Sequence, residues 1–81
     1  MHELAFTHSV IKLVESEAKD YGFKKCLGIT LSVGKYSGIV PGCIEEFFPI
    51  ASQNTICENA VLSFNDGNDP FKAYVDSLEV E

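Results

Sequence analysis

The first twenty residues carry apolar side chains at helical spacing. The positions that recur every three or four residues are Leu4, Thr7, Ile11, Val14 and Ala18, with Phe6, Val10 and Leu13 widening the stripe. Because successive residues of an α-helix are about 100° apart, this spacing places them on one face. Gly22 follows and supplies the left-handed freedom that often ends a helix. The pattern predicts a helix over residues 3–20.

The spacing changes to strict alternation over residues 26–33. Leucine, isoleucine and valine side chains fall on one side, at Leu27, Ile29, Leu31 and Val33. Glycine and hydroxyl side chains fall on the other, at Gly28, Thr30 and Ser32. A period of two predicts a β-strand with one buried face. We expect the small polar face to be open to solvent or partly covered by a partner.

A second helix is predicted to begin at Pro41, since proline is favoured at the first helical position. Its apolar face comprises Ile44, Phe47, Phe48 and Ala51, with Glu45 and Glu46 outside. Pro49 removes a backbone donor and crowds the preceding turn, so the helix should be short or kinked. Asn54 is the expected end.

Two more strands are predicted, over residues 60–64 and 71–80. The turn-forming residues 65–70 between them predict an antiparallel hairpin. The alternation of the last strand slips midway, which a β-bulge near Asp76 and Ser77 would repair. The order is αβαββ, and its strand–helix–strand middle favours a parallel crossover. We therefore predict a single α+β domain over residues 1–81, with two helices on one face of a small mixed three-stranded β-sheet.

Charge, hydropathy and cysteine spacing argue against several classes of partner and site. The 81 residues carry a net charge of -6, which argues against nucleic acid or an anionic membrane as a partner. No apolar run approaches the roughly 20 residues that span a bilayer, and the amino-terminal region does not resemble a secretory signal, so we expect a cytoplasmic protein. The cysteines are Cys26, Cys43 and Cys57, an odd count without a CxxC pair. This spacing argues against a zinc ribbon and favours buried free thiols.

Catalytic machinery is not indicated. The chain has no arginine, and no serine or cysteine stands in a local nucleophile motif such as Gly-x-Ser-x-Gly. Glu45 and Glu46 are adjacent on a helix, so their side chains point apart, and we interpret them as solvent-exposed charges and not as an acid/base pair. We expect a protein that is not an enzyme.

Met1, His2 and Glu3 form the one candidate metal site. An amine, deprotonated backbone amides and an imidazole together offer the all-nitrogen, square-planar field that suits Ni(II) or Cu(II). His8 could join only if His2 lay ahead of the helix, because residues six apart on a helix point in different directions. A solvated position for His8 is the favoured interpretation.

These segments together resemble a known family. Residues 1–4 followed by a helix resemble the start of the HypA/HybF-type nickel metallochaperones of nickel–iron hydrogenase maturation. Residues 31–41 resemble the family's strand, its Gly-x-x-Ser-Gly loop and its helix-starting proline. Residues 60–62 and 77–81 resemble its following and last strands. The resemblance covers nearly the whole chain in the right order.

The resemblance implies a nickel metallochaperone that binds Ni(II) through the Met1 amine, His2 and the backbone amide of Glu3. It also implies two partners, a maturation GTPase and the hydrogenase large subunit. The family carries a zinc domain with two CxxC pairs between its last two strands. Here a short turn at residues 65–70 stands in its place, so zinc is not expected. The alternative is a degenerate interaction module that keeps the fold but no longer delivers nickel.

Overall fold

The computed structural model describes residues 2–81, and its elements follow the predicted αβαββ order. They are α1 His2–Tyr21, β1 Cys26–Val33, α2 Pro41–Ala51, β2 Val61–Asn65 and β3 Ala73–Val80. The two helices and the three strands of a mixed sheet confirm the predicted α+β class. None of the helices in this part of the chain is long and apolar enough to cross a membrane.

The sheet has the order β2-β1-β3. β1 pairs parallel to β2 and antiparallel to β3, so the predicted parallel crossover through α2 is confirmed. The predicted hairpin between the last two strands is wrong, because β1 lies between them. A turn sequence specifies where the chain reverses, but it does not specify which edge the next strand joins. β1 is the most buried strand and uses both of its edges, so β3 pairs with the edge that β2 leaves free.

The connection of residues 66–72 therefore crosses the carboxyl end of β1. The Gly34 amide donates to the Lys72 carbonyl at 2.8 Å, and the Tyr36 amide donates to the Pro70 carbonyl at 2.6 Å. A Cβ atom at position 34 would lie 2.5 Å from backbone atoms of Asp69 and Pro70. The crossing requires glycine at the end of the strand.

The predicted bulge in the last strand is confirmed. Thr30 pairs with Ser77, whereas the next residue of β1, Leu31, pairs with Val75. Asp76 is therefore an extra residue in β3, and the bulge restores the inward alternation that the sequence interrupts. Val75 and Leu78 both pack against the core as a result.

A second shift, between Cys26 and Gly28, makes Leu27 the extra residue of β1. Cys26 is consequently fully buried, whereas Leu27 is 44% exposed. The prediction that Leu27 shares the buried face with Ile29 is wrong. The bulge changes the side of the sheet on which the preceding side chains lie.

The core lies between the two helices and one face of the sheet. Its members are Val10, Ile11, Val14, Cys26, Ile29, Leu31, Val33, Ile44, Phe48 and Cys57. The apolar stripe of α1 is narrower than predicted, since Leu4 and Leu13 are 38% and 44% exposed. Thr7, on the same stripe, is buried, and its hydroxyl donates a hydrogen bond to the main-chain carbonyl of Glu3.

α2 is short, as its internal proline predicts, and it ends at Ala51 rather than at Asn54. Asn54 follows in a turn with a φ of 62°. Ile44 and Phe48 are the two α2 side chains that reach the core. Irregular turns then lead the chain to β2.

The sheet face away from the helices is only partly open. Thr30 is partly buried, and its neighbours across the sheet, Ser63 and Ser77, are exposed. Ser32, however, is only 2% exposed. The expectation that this face would be solvent-facing is therefore wrong at Ser32, which the connection of residues 66–72 covers.

Candidate metal centre

The predicted metal site lies at the start of α1. His2 is the first residue of this helix and its side chain is exposed, and Glu3 follows in the same turn. Met1 lies outside the described residues, so the role of its amine stays a prediction. The structure thus places two of the three predicted residues next to one another at a helix end.

The helix end leaves the backbone nitrogens of His2 and Glu3 available. The first four N–H groups of an α-helix have no acceptor within the helix. Both nitrogens could therefore lose a proton to a metal ion without breaking a helical hydrogen bond. The partial positive charge at the amino end of a helix also favours the negative charge that deprotonation creates. The backbone here suits amide ligation.

The Glu3 side chain is occupied elsewhere. Its Oε2 accepts a hydrogen bond from the Val40 amide at 3.1 Å, which joins the start of α1 to the start of α2. Its main-chain carbonyl accepts a bond from the buried Thr7 hydroxyl at 2.7 Å. Glu3 is thus anchored through its side chain and its carbonyl, and neither contact uses its amide nitrogen.

Sequence reasoning missed this carboxylate contact. The residue before Pro41 is a valine, whose side chain cannot accept a hydrogen bond from the free amides of α2. The amide that Glu3 satisfies is that of Val40 itself, just before the helix, and no sequence pattern marks this amide as needing a distant acceptor. The sequence did not show which acidic residue would supply it.

The other histidine does not converge on the site. Because α1 begins at His2, both His2 and His8 belong to the same helix. Six residues of helix separate them by about 9 Å along the axis and about 120° around it. His8 is exposed, as the solvated interpretation predicts.

Side chains alone do not assemble another metal site in residues 2–81. No group of three or more histidine, cysteine, aspartate or glutamate side chains is placed there to hold a metal ion. A metal centre in this region would therefore need main-chain donors.

The cysteines are free thiols. Cys26 and Cys57 are fully buried, as predicted, whereas Cys43 is only partly buried. Burial raises the pKa of the Cys26 thiol, and it raises that of Cys57 to about 12. Metal binding and nucleophilic attack both need the thiolate, so the two buried thiols are inert packing groups at neutral pH.

Comparison with known proteins identifies relatives of this chain. A family model described as hydrogenase/urease nickel incorporation, metallochaperone, HypA matches residues 1–72. The hydrogenase maturation factor HypA of Psychromonas ingrahamii is 38% identical over 66 residues, which are 82% of this chain and 58% of that protein. The proteins of the same name from Geobacter metallireducens and Dehalococcoides mccartyi strain CBDB1 are 39% identical over 62 residues and 35% identical over 65 residues.

The last two matches cover 76% and 80% of this chain, but 54% and 55% of the relatives. The chain thus spans about half the length of the curated relatives it matches. The family model nevertheless covers four of the five elements and ends at the residue before β3. The chain therefore belongs to the HypA family of hydrogenase/urease nickel-incorporation metallochaperones.

Proposed function

We propose that the protein binds one Ni(II) ion at its amino terminus and hands it on during hydrogenase maturation. The ligands would be the Met1 amine, the His2 imidazole and the backbone amide of Glu3. The observation that carries this proposal is the position of α1, whose first turn begins at an exposed His2 and leaves the adjacent amides without helical acceptors.

The donor set fits nickel chemically. Nitrogen donors arranged in a plane suit Ni(II) and Cu(II), and the ring nitrogen and the amides must be deprotonated to bind. Nickel binding should therefore release protons and weaken in acid. Cu(II) should bind more tightly than Ni(II) by the Irving–Williams order. Selectivity would then come from the available metal and from the proteins that supply and receive it.

The partners in this proposal are a maturation GTPase and the hydrogenase large subunit. The described surface is compatible with delivery by contact, because the site lies on an exposed helix end rather than in a closed cavity. A transferred ion needs an open coordination path between donor and acceptor, which an exposed terminus provides.

We also propose that the connection of residues 66–72 stands where the family's zinc domain is inserted. The connection runs from β2 to β3, and by the family resemblance the zinc domain is inserted between the last two strands. The short connection is the feature that favours the alternative function, an interaction module without nickel delivery. Zinc analysis of the purified protein should find well below one zinc per chain, and one zinc per chain would contradict the replacement.

The decisive experiment is a Ni(II) titration of the protein with its native amino terminus, followed by the absorption of the square-planar complex. His2→Ala should abolish binding of the single ion. His8→Ala is the matched control, since it removes the other histidine from the same helix, and it should bind as the native protein does. An extension ahead of Met1 should weaken binding as strongly as His2→Ala.

Two results would reject the proposed site. Equal binding by the native protein and by His2→Ala would exclude the imidazole. Unchanged binding after extension would exclude the amine. If nickel binds as expected but does not reach a hydrogenase precursor in a transfer assay, the interaction-module alternative is supported instead.

A further inference from the structure

A polar pocket lies on the sheet face away from the helices, beside the connection of residues 66–72. Its volume is about 310 Å³, at the lower end of the range of about 300–1,000 Å³ typical of ligand pockets. Six residues line it: Ser32, Asn65, Gly67, Asn68, Tyr74 and Asp76. None of these belongs to the proposed nickel site.

The strand register builds the floor of this pocket. Ser32 pairs with Asn65 on β2 and with Tyr74 on β3, so the three side chains form a row across the sheet. Gly67, with a φ of 67°, lies over the middle of the row. A Cβ atom on it would lie 3.0 Å from the Ser32 Cβ and 3.5 Å from the Tyr74 hydroxyl. The connection and the sheet therefore form two sides of a pocket that is open to solvent.

Two hydrogen bonds join three of the lining side chains. The Ser32 hydroxyl donates to Asn65 Oδ1 at 2.7 Å, and Asn65 Nδ2 donates to Asp76 Oδ2 at 3.2 Å. The bulge in β3 is what turns the Asp76 side chain toward this face. Within residues 2–81, the other carboxylate oxygen of Asp76 accepts no hydrogen bond, so it is free to accept one from a ligand.

The charge around the pocket is negative and largely uncompensated. Residues 65–76, which run from the end of β2 through the connection into β3, contain three acidic side chains and one lysine. That lysine, Lys72, lies 3.9 Å from Asp69, and this is the one ion pair between side chains of residues 2–81. The Asp76 carboxylate therefore has no cationic partner in the described part of the chain.

The lining selects one chemical class of ligand. An anion is disfavoured because no lysine or arginine lines the pocket, and an apolar group would leave its amides and hydroxyls unpaired. A metal ion would find a single carboxylate. A planar cation with several N–H donors fits, because the carboxylate, the Asn68 amide oxygen and the Tyr74 ring all attract such a group.

We propose that this pocket binds the guanidinium group of an arginine that a partner protein presents. The chain itself contains no arginine, so a second copy cannot supply the group. An exposed aromatic pair lies at the carboxyl end of the same connection: Tyr36 and Phe71 are 62% and 70% exposed, and their ring centroids are 5.7 Å apart. Tyrosine and arginine are among the residue types that contribute most to protein–protein binding, so the pair offers a partner a second contact next to the guanidinium.

The probe is N-acetylarginine methylamide, and its binding is followed by amide NMR shifts in the full chain. Shifts should concentrate at the pocket residues. The citrulline counterpart, with a neutral group in place of guanidinium, should bind at least about tenfold more weakly. Asp76→Asn should weaken arginine binding by about tenfold or more, whereas Asp20→Asn, an exposed acid on α1, should leave it unchanged.

If Asp76→Asn perturbs the fold, a second variant tests the pocket independently. Asn68→Ala removes an exposed side chain that makes no hydrogen bond within residues 2–81, and it should also weaken binding. Equal affinity for arginine and citrulline probes, or undiminished binding by both variants, would overturn the assignment of a guanidinium site. The absence of any localised shift at millimolar probe would overturn it as well.

A further experiment tests whether the pocket recognises arginine within a protein chain or only as a free amino acid. A peptide with leucines on both sides of arginine should bind more tightly than the single amino-acid probe, and Phe71→Ala should remove that gain while leaving the single probe unaffected. Equal binding of peptide and single probe would overturn the assignment to a protein partner. None of these measurements involves nickel, so their failure is separate from a failure of the proposed function.

Discussion

Replacing Gly34 by alanine tests the chain crossing at the end of β1. The added Cβ would lie 2.5 Å from three backbone atoms of Asp69 and Pro70, whereas carbon and oxygen atoms in contact prefer separations of about 3.5 Å or more. Backbone atoms cannot rotate away as a side chain can. The connection of residues 66–72 would have to move by about 1 Å to relieve the contact.

These contacts determine how much stability Gly34→Ala should lose. Overpacking costs about 1–3 kcal/mol, and the movement would also weaken the bonds that join Gly34 to Lys72 and Tyr36 to Pro70, worth about 1 kcal/mol each. We expect the free energy of unfolding to fall by about 2–4 kcal/mol. For a domain of this size the melting temperature should then fall by about 10 °C or more.

Gly42→Ala is the matched control. Gly42 lies in the first turn of α2, and nothing lies within 4 Å of the position that its Cβ would take. Alanine there should leave the free energy of unfolding unchanged or raise it slightly, because alanine is the better helix former and meets no steric contact. Urea and thermal unfolding followed by far-UV circular dichroism measure both variants. If Gly34→Ala is as stable as the native protein, or if it loses no more stability than Gly42→Ala, the described crossing is wrong.

Three further predictions concern the thiols and Glu3. Burial raises the pKa of Cys57 to about 12, so the stability that its protonated thiol contributes is complete below the ordinary thiol pKa of about 8.5 and is lost as pH rises toward 12. Urea unfolding of Cys57→Ala should therefore show a smaller loss of stability at alkaline pH. An equal alkaline loss in Cys57→Ala and Cys43→Ala would contradict this prediction. Ellman's reagent should titrate one accessible thiol, Cys43, in the folded protein and all three after denaturation, and rapid reaction of Cys26 would contradict its burial. Glu3→Ala should cost about 0.5–1.5 kcal/mol of stability through the lost bond to Val40 but keep one Ni(II) site, and loss of nickel binding would show that the carboxylate, not the amide, is the ligand.

Local patterns predicted local structure well. The spacing of apolar residues in α1 and the alternation of β1 are properties of short segments, and both elements were found within one residue of their predicted bounds. The bulge at Asp76 was also predictable, because an extra residue in the strand is what allows apolar side chains of opposite parity to lie on the same face. Each of these features depends on residues close together in the sequence.

Contacts between distant residues were not predictable in the same way. The sheet order depends on competition between β2 and β3 for the edges of β1, and no segment of the sequence encodes that competition alone. Leu27 fits the alternation, and only the pairing of its strand with β3 makes it the extra residue. The bond between the Val40 amide and the Glu3 carboxylate joins residues 37 positions apart, so no local pattern predicts it.

For the candidate site, the sequence supplied the residue types and the structure supplied their setting. Residue chemistry and the family resemblance both point to Met1, His2 and Glu3. The helical first turn, with its unpaired amides, became visible only in the fold. The pocket at Asp76 gave no sequence signal, because its lining comes from three strands and a connection that are adjacent only in space.

The strand order has a geometric consequence for any longer relative of this fold. Because β2 and β3 are the two edges of the sheet, the ends of the connection between them are two strand spacings apart, or about 10 Å. A folded module joined at those ends would be held by two separate tethers, which restrict its rotation far more than a single linker would. It would also lie over the end of the sheet without breaking a strand pair. This crossing is therefore a site where the architecture can accept or omit a second module while its three strands stay in register.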